Sequence, residues 1–141
     1  MQRYNCNSVN TNSDEPQVRE ATREVFAKYA EDHDLASAIR SLWDKITGVG
    51  IKSATLLLAS AFPSEVIFFS RDLLRWASSP GETKEKFDLH SYEILTARVN
   101  DLRKRIRGDD GASARAVDVE KVAFVALLAK YMQGGTEKYL P

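Results

Sequence analysis

Two glycines that flank one aliphatic residue, Gly48-Val49-Gly50, separate two helical stretches of this chain. Because glycine adopts positive φ without the steric cost of a Cβ atom, a turn this short can reverse the chain. Glycine also leaves the backbone N–H groups at the start of the following helix exposed. Those groups lack partners within the helix and carry partial positive charge, so they favour a bound phosphate. The sequence therefore predicts a tight turn between two helices, with an anion site where the second helix begins.

The composition is that of an ordinary soluble domain and shows no bias toward nucleic acid. The chain has 141 residues, enough for one hydrophobic core, and its 20 basic and 20 acidic residues cancel. Strong non-specific nucleic-acid binders usually have a basic excess, so any DNA contact must come from a local patch or from helix-end geometry. Cys6 is the single cysteine, which excludes an internal disulfide and a cysteine-based zinc site.

The ends of the chain and its apolar runs bear on where the protein acts. The N-terminal residues are polar and lack the apolar segment of a signal peptide. The longest apolar run, residues 54–62, is too short to span a bilayer. We therefore expect an intracellular protein without a membrane partner, and a nuclear one if it binds DNA.

Apolar residues recur at helical spacing along most of the chain, which predicts an all-α fold. We expect a polar arm over residues 1–12, a single helical domain over 13–133 and a short tail over 134–141. The hairpin turn of this domain is predicted at 47–50. The predicted helices cover residues 15–29, 35–46, 50–61, 71–77, 92–107 and 119–131.

Polar residues before these stretches predict the helix caps, because their side chains accept hydrogen bonds from the first N–H groups of a helix. The helix at 50–61 is apolar nearly all round, which is typical of the buried centre of a bundle. Residues 66–69 are predicted to form an extended apolar link, since the run is short and no partner strand is nearby. The predicted caps are Ser13 or Asp14, Asp34, Ser70, Ser91 and Asp118.

The segment from Leu42 to Ala54 resembles the hairpin of the helix-hairpin-helix DNA glycosylases, which have a Leu-Pro-Gly-Val-Gly-x-Lys-Thr-Ala run. The resemblance continues through Phe62-Pro63 to Ser70 and Arg75. It implies a compact helical bundle that binds the backbone of duplex DNA with little sequence specificity. It also implies a monovalent cation on the hairpin carbonyls as the one candidate cofactor. The DNA-binding residues that it implies are Gly48, Val49, Gly50, Lys52, Ser53, Arg71 and Arg75.

The same resemblance places the nucleophilic lysine of the glycosylases at Lys52, two residues after the second glycine. The catalytic aspartate of the family lies five residues before an arginine, and counting back from Arg75 gives Ser70. Serine has no charge to stabilise the charge that develops on the sugar. Asp72 is close in sequence, but on a helix it points about 200° away from position 70. The resemblance thus implies a domain without catalysis; the alternative is a glycosylase or AP lyase that uses Lys52 and a displaced Asp72.

Residues 13–130 also resemble a group of uncharacterised fungal proteins with this fold, which carry a Phe-Phe-Ser-Asp-Glu-Leu-x-Arg-Trp stretch like that at 68–76. This second resemblance implies no established activity. A third alternative is therefore a protein-interaction module that retains only the fold, and the neutral net charge favours it. The plainer interpretation of the hairpin is a turn without a ligand, beside a solvated Lys52.

Several other residues have both a functional and a structural interpretation. Aromatic side chains can stack on a base, but at these spacings they belong more often to a core. His33 and His90 lack metal-ligand spacing, so we predict surface positions and no metal site. Basic residues near a helix C-terminus are favourable without any ligand, so we predict a solvated face there. The aromatic residues are Trp43, Phe68, Phe69 and Trp76, and the basic ones are Arg98, Arg103, Lys104, Arg105 and Arg107.

Overall fold

A computed structural model describes residues 15–77, 86–106 and 114–133, and these ranges contain helices and no strand. The all-α prediction is confirmed. No helix within these ranges has the length and apolar character needed to cross a membrane. The helices are α1 (Glu15–Asp32), α2 (Leu35–Lys45), α3 (Ile51–Ala61), α4 (Arg71–Ala77), α5 (Leu89–Arg105) and α6 (Ala116–Gln133).

The chain divides into two compact units, Met1–Ala54 and Thr55–Pro141, with the boundary inside α3. Compactness alone does not make either unit an independent domain, so the single domain over 13–133 stays a prediction. The predicted arm, the tail and the caps at 13 and 14 lie outside the described residues.

In the first unit, α1 packs against α2 mainly through alanine and aliphatic side chains together with one tyrosine. α1 continues three residues beyond its predicted end at Tyr29 and stops at His33, which has φ of 52° and an exposed side chain. Asp34 then caps α2, as predicted, by accepting a hydrogen bond from the Ser37 N–H at 3.0 Å. The buried residues between the helices are Ala21, Val25 and Tyr29 of α1 and Ala38, Ile39 and Leu42 of α2.

In the second unit, the extended link predicted at 66–69 is confirmed, and it is largely buried. A buried backbone without a neighbouring strand must find other partners for its N–H and C=O groups. Here side chains from three helices supply those partners and so connect α3, α5 and α6 to the link. The Phe69 N–H donates to Thr55 Oγ1 at 3.2 Å, the Phe68 N–H donates to the Glu120 carboxylate, and the Tyr92 hydroxyl donates to the Ile67 carbonyl at 2.8 Å.

The start of α6 is fixed to the turn that follows α3. The Ala116 N–H donates to the Ser64 carbonyl at 3.1 Å. Arg103 of α5 donates from Nη2 to the same Ser64 carbonyl and from Nε to the Ala114 carbonyl, each at 2.6 Å. The prediction that Arg103 is part of a solvated face is therefore wrong, because its guanidinium is half-buried and bound to backbone carbonyls.

Two predicted caps are also wrong. Asp88, not Ser91, caps α5: its carboxylate accepts a hydrogen bond from the Ser91 N–H at 2.8 Å, and this bond lowers the pKa of Asp88. Asp118 lies within the first turn of α6, where its carboxylate contacts Arg115 Nε at 2.9 Å. In both places the helix begins at least two residues earlier than predicted, since a residue able to cap often also suits the first turn.

The predicted burial of some apolar side chains is corrected as well. α3 buries one face, whereas Leu56 and Leu57 on its other face are 50% and 36% exposed. Trp43, predicted to be core, is 55% exposed, while Phe69 is fully buried. Apolar residues on every side of a short helix therefore do not imply that every side is covered. Ser70 caps α4 as predicted, by accepting from the Leu73 N–H at 3.1 Å.

Glu120 gives the second unit a pH-dependent contact. Partial burial raises the pKa of its carboxyl, an effect that the hydrogen bond from the Phe68 N–H opposes. The folded state therefore holds this proton more tightly than the unfolded chain. Its contribution to stability is complete below the unfolded pKa of about 4.3 and is lost as the pH rises through the folded pKa.

We expect Glu120→Gln to reduce the fall in the free energy of unfolding between about pH 4 and pH 7. The amide oxygen of glutamine still accepts the hydrogen bond from the Phe68 N–H but carries no charge. Glu120→Ala removes the acceptor and should cost about 1–3 kcal/mol at all pH values in that range. Urea denaturation of both variants across this pH range measures the two effects. A glutamine variant that loses stability as steeply as the wild type contradicts the assignment.

Candidate functional site

The turn between α2 and α3 is as tight as the glycines predict. The Ile46 N–H donates to the Leu42 carbonyl at 3.1 Å and ends α2, and the Val49 N–H donates to the Ile46 carbonyl at 3.2 Å. Between them Gly48 has φ of +85°, a conformation that costs a residue with a Cβ atom about 1–2 kcal/mol. The glycine at 48 is thus required by the backbone.

Gly50 begins α3, since its carbonyl accepts the first bond of the helix from the Ala54 N–H at 2.9 Å. A Cβ atom built on Gly50 meets no side chain or distant backbone atom within 4 Å, so there is open space beside Gly50 at the start of the helix. Ile51 is buried and anchors the first turn, whereas Lys52 and Ser53 are exposed. An anion in this space meets the first N–H groups of a helix, with a lysine and a hydroxyl beside them.

Few charged side chains lie near this turn in the sequence. Within residues 42–54 the charged side chains are Asp44, Lys45 and Lys52. Lys45 already forms an ion pair with Glu24 of α1, with Nζ 2.6 Å from the carboxylate oxygen. The whole of residues 15–54 contains seven acidic and six basic side chains. Anion binding at the turn must therefore depend on the orientation of the N–H groups more than on the surrounding field.

The residues assigned to catalysis are not all in one unit. Lys52 belongs to the first unit, and Ser70 and Asp72 belong to the second. The Ser70 hydroxyl caps α4 through the Leu73 N–H, which accounts for a serine at this position. Asp72 is exposed in the first turn of α4, where a negative charge is favourable to the helix dipole.

Arg71 and Arg75 lie one helical turn apart on α4, and both are exposed. That spacing places them on the same face of the helix. Both belong to the second unit, so their contribution to phosphate binding at the hairpin stays a prediction.

A groove in the second unit was not predicted from the sequence. It has a volume of about 300 Å³ and lies between the end of α4 and one face of α5. On α5, Arg98, Leu102 and Arg105 are separated by four and three residues, and this spacing is the sign of the face in the sequence. The groove is lined by Trp76, Ala77, Arg98, Val99, Asp101, Leu102 and Arg105.

No protein-family model, curated protein or solved structure matches this chain. The relationship to the helix-hairpin-helix DNA glycosylases therefore stays a prediction.

Proposed function

We propose that this chain is a helix-hairpin-helix domain that binds the backbone of duplex DNA, without catalysis. The observation that carries the proposal is the open space at the start of α3, beyond the positive-φ turn at Gly48. Gly48, Val49 and Gly50 bring the backbone close to a phosphate, and the first N–H groups of α3 point toward it. Lys52 and Ser53 add a charge and a hydroxyl on the exposed side of the same turn.

Contacts of this kind predict little sequence specificity. Backbone N–H groups and a lysine read the phosphate, which is the same in every sequence, and no base edge is involved. Arg71 and Arg75 extend the phosphate contact in this proposal, and a monovalent cation on the hairpin carbonyls neutralises part of the phosphate charge. Because the net charge of the chain is zero, binding is expected to be modest and confined to low salt.

The absence of catalysis follows in this proposal from the side chain at position 70. A glycosylase needs a carboxylate near the reacting sugar to stabilise positive charge. Ser70 is neutral, and its oxygen already accepts a hydrogen bond from the Leu73 N–H. In this proposal Lys52 is a phosphate contact and not a nucleophile.

We expect Gly50→Asp to abolish duplex binding while the protein stays folded. Aspartate is a favourable helix cap and has room at this position, but its carboxylate occupies the N–H groups and repels phosphate. Fluorescence anisotropy with a labelled duplex at low salt should show that the affinity for the duplex falls by about tenfold or more. For the wild type, the slope of log K against log salt should be about −1 to −3, as expected for a few phosphate contacts.

Ser60→Asp is the matched control, because it adds the same charge at the other end of α3 on an exposed residue. It should bind the duplex nearly as well as the wild type. The proposal is wrong if the wild type does not bind plain, abasic or mismatched duplexes at low salt. It is also wrong if Gly50→Asp binds the duplex as well as the wild type does.

The proposed lack of catalysis is tested by borohydride reduction in the presence of an abasic duplex. A lysine that attacks the sugar forms an imine, which borohydride converts to a stable covalent adduct. We expect no adduct with the wild type on a denaturing gel. An adduct that disappears in Lys52→Ala would instead establish the lyase alternative.

The exposed apolar face of α6 favours the protein-interaction alternative as a second candidate. Beyond Ala123 no described side chain of α6 is buried, although the helix continues to Gln133. Phe124, Leu128 and Met132 are spaced by four residues, so they form one stripe, and Met132 is 84% exposed. Apolar stripes of this kind on a surface mark interaction sites.

We propose that a second copy of the chain covers this stripe. In an antiparallel pair of α6 helices with the two-fold axis at the centre of the stripe, Leu128 of one copy lies opposite Leu128 of the other, and Phe124 lies opposite Met132. The stripe supplies part of the roughly 800 Å² that each partner buries in a stable complex.

Sedimentation velocity should show that the mass of the wild type rises toward a dimer by about 100 µM, as expected for micromolar affinity. Leu128→Asp should keep the chain monomeric, since it places a charge in the centre of the stripe. Val122→Asp, on an equally exposed residue about 120° around the helix, is the control and should still dimerise. A wild type that stays monomeric at this concentration contradicts the pairing.

A further inference from the structure

The groove between α4 and α5 is lined by aromatic, apolar and basic side chains. Trp76 is half-buried and lines the groove together with Val99 and Leu102 of α5. Arg98 and Arg105 stand two turns apart on the same face of α5 and are both exposed. A ligand that fits these surfaces has a flat ring and an attached anion.

The Arg98 guanidinium is held in place at the groove. Its Nη1 donates to the Ala77 carbonyl at 2.9 Å, at the end of α4, where a positive charge is favourable to the helix dipole. The planar guanidinium has five N–H donors in a fixed geometry that suits phosphate. Arg98 therefore fixes the end of α4 and presents a positive charge on the groove side of α5.

The local charge favours an anionic ligand even though the chain is neutral. Helices α4 and α5 together contain six basic and three acidic side chains, in contrast to the slightly acidic residues 15–54. Asp101 is the acidic residue that lines the groove. A carboxylate accepts hydrogen bonds from the amino groups of bases but repels phosphate, so it is suited to the base end of a nucleotide.

We infer that this groove binds an unpaired nucleotide of a single-stranded nucleic acid. The base stacks against Trp76 and hydrogen-bonds Asp101, and the phosphate contacts Arg105, which lies one turn beyond Asp101 on α5. Stacking on an aromatic side chain within a basic groove is the general way in which proteins hold single strands. A volume of about 300 Å³ is at the small end of ligand sites and suits one nucleotide, whereas a paired base is not available for stacking.

An acidic peptide also carries negative charge, but it fits these surfaces less well. Its carboxylates offer no planar ring for Trp76, and Asp101 would repel them. The groove is also independent of the hairpin proposal, because all of its lining residues belong to the second unit.

Tryptophan fluorescence tests the inference directly. The chain has two tryptophans, so Trp43→Phe leaves Trp76 as the single reporter. Titration of this protein with a short single-stranded oligonucleotide at low salt should quench the emission in a saturable way, because the base stacks on the indole. Arg105→Glu should weaken this binding by about tenfold or more, because it reverses the charge that contacts the phosphate.

Lys104→Glu is the matched control, because it makes the same charge change one residue away, on an exposed side chain outside the groove lining. It should weaken binding by less than about threefold, the effect of net charge alone. Equal weakening by both variants, or no quenching of Trp76 by the oligonucleotide, overturns the inference.

Two further titrations separate this site from the alternatives. Gly50→Asp in the Trp43→Phe protein should leave the quenching intact, and its loss would mean that the strand binds through the hairpin. A polyglutamate peptide should cause no quenching. If it bound as tightly as the oligonucleotide, the groove would be a peptide site and the assignment to nucleic acid would be wrong.

Discussion

The extended segment at 66–69 imposes the main physical constraint on the second unit. Its backbone is buried without a neighbouring strand, and an unpartnered buried N–H or C=O group costs about 1–3 kcal/mol. Thr55, Tyr92 and Glu120 meet that requirement from three different helices. The arrangement of α3, α5 and α6 around the link is therefore set by hydrogen bonds as well as by apolar packing.

The two units differ in the chemistry that they offer to a ligand. The proposed phosphate site at the Gly48 turn lies within a slightly acidic stretch, so phosphate binding there would depend on the orientation of the helix N–H groups. The second unit has an excess of basic side chains on α4 and α5, beside the groove that Trp76 lines. A neutral total charge thus conceals a local contrast, and duplex and single-stranded nucleic acid are proposed to use different parts of the chain.

Features that depend on neighbouring residues were predicted well. The left-handed turn at Gly48 and the caps at Asp34 and Ser70 are set by interactions within a few residues. The caps of α5 and α6 were misplaced because serine and aspartate suit a position in the first turn as well as a cap. Periodicity identified the helices but not which faces are covered, so Trp43 and Leu56 were wrongly predicted to be buried.

The sequence by itself determined the helical class, the tight turn at Gly48 and the extended link, because glycine torsions, capping side chains and short apolar runs act locally. Only the tertiary structure decided that Arg103 binds the carbonyls of Ser64 and Ala114, that Glu120 is partly desolvated, and that Trp76 faces a groove with Arg98 and Arg105. These contacts join residues that are mostly far apart in the chain. Their partners are fixed by how the helices pack, which no local pattern specifies.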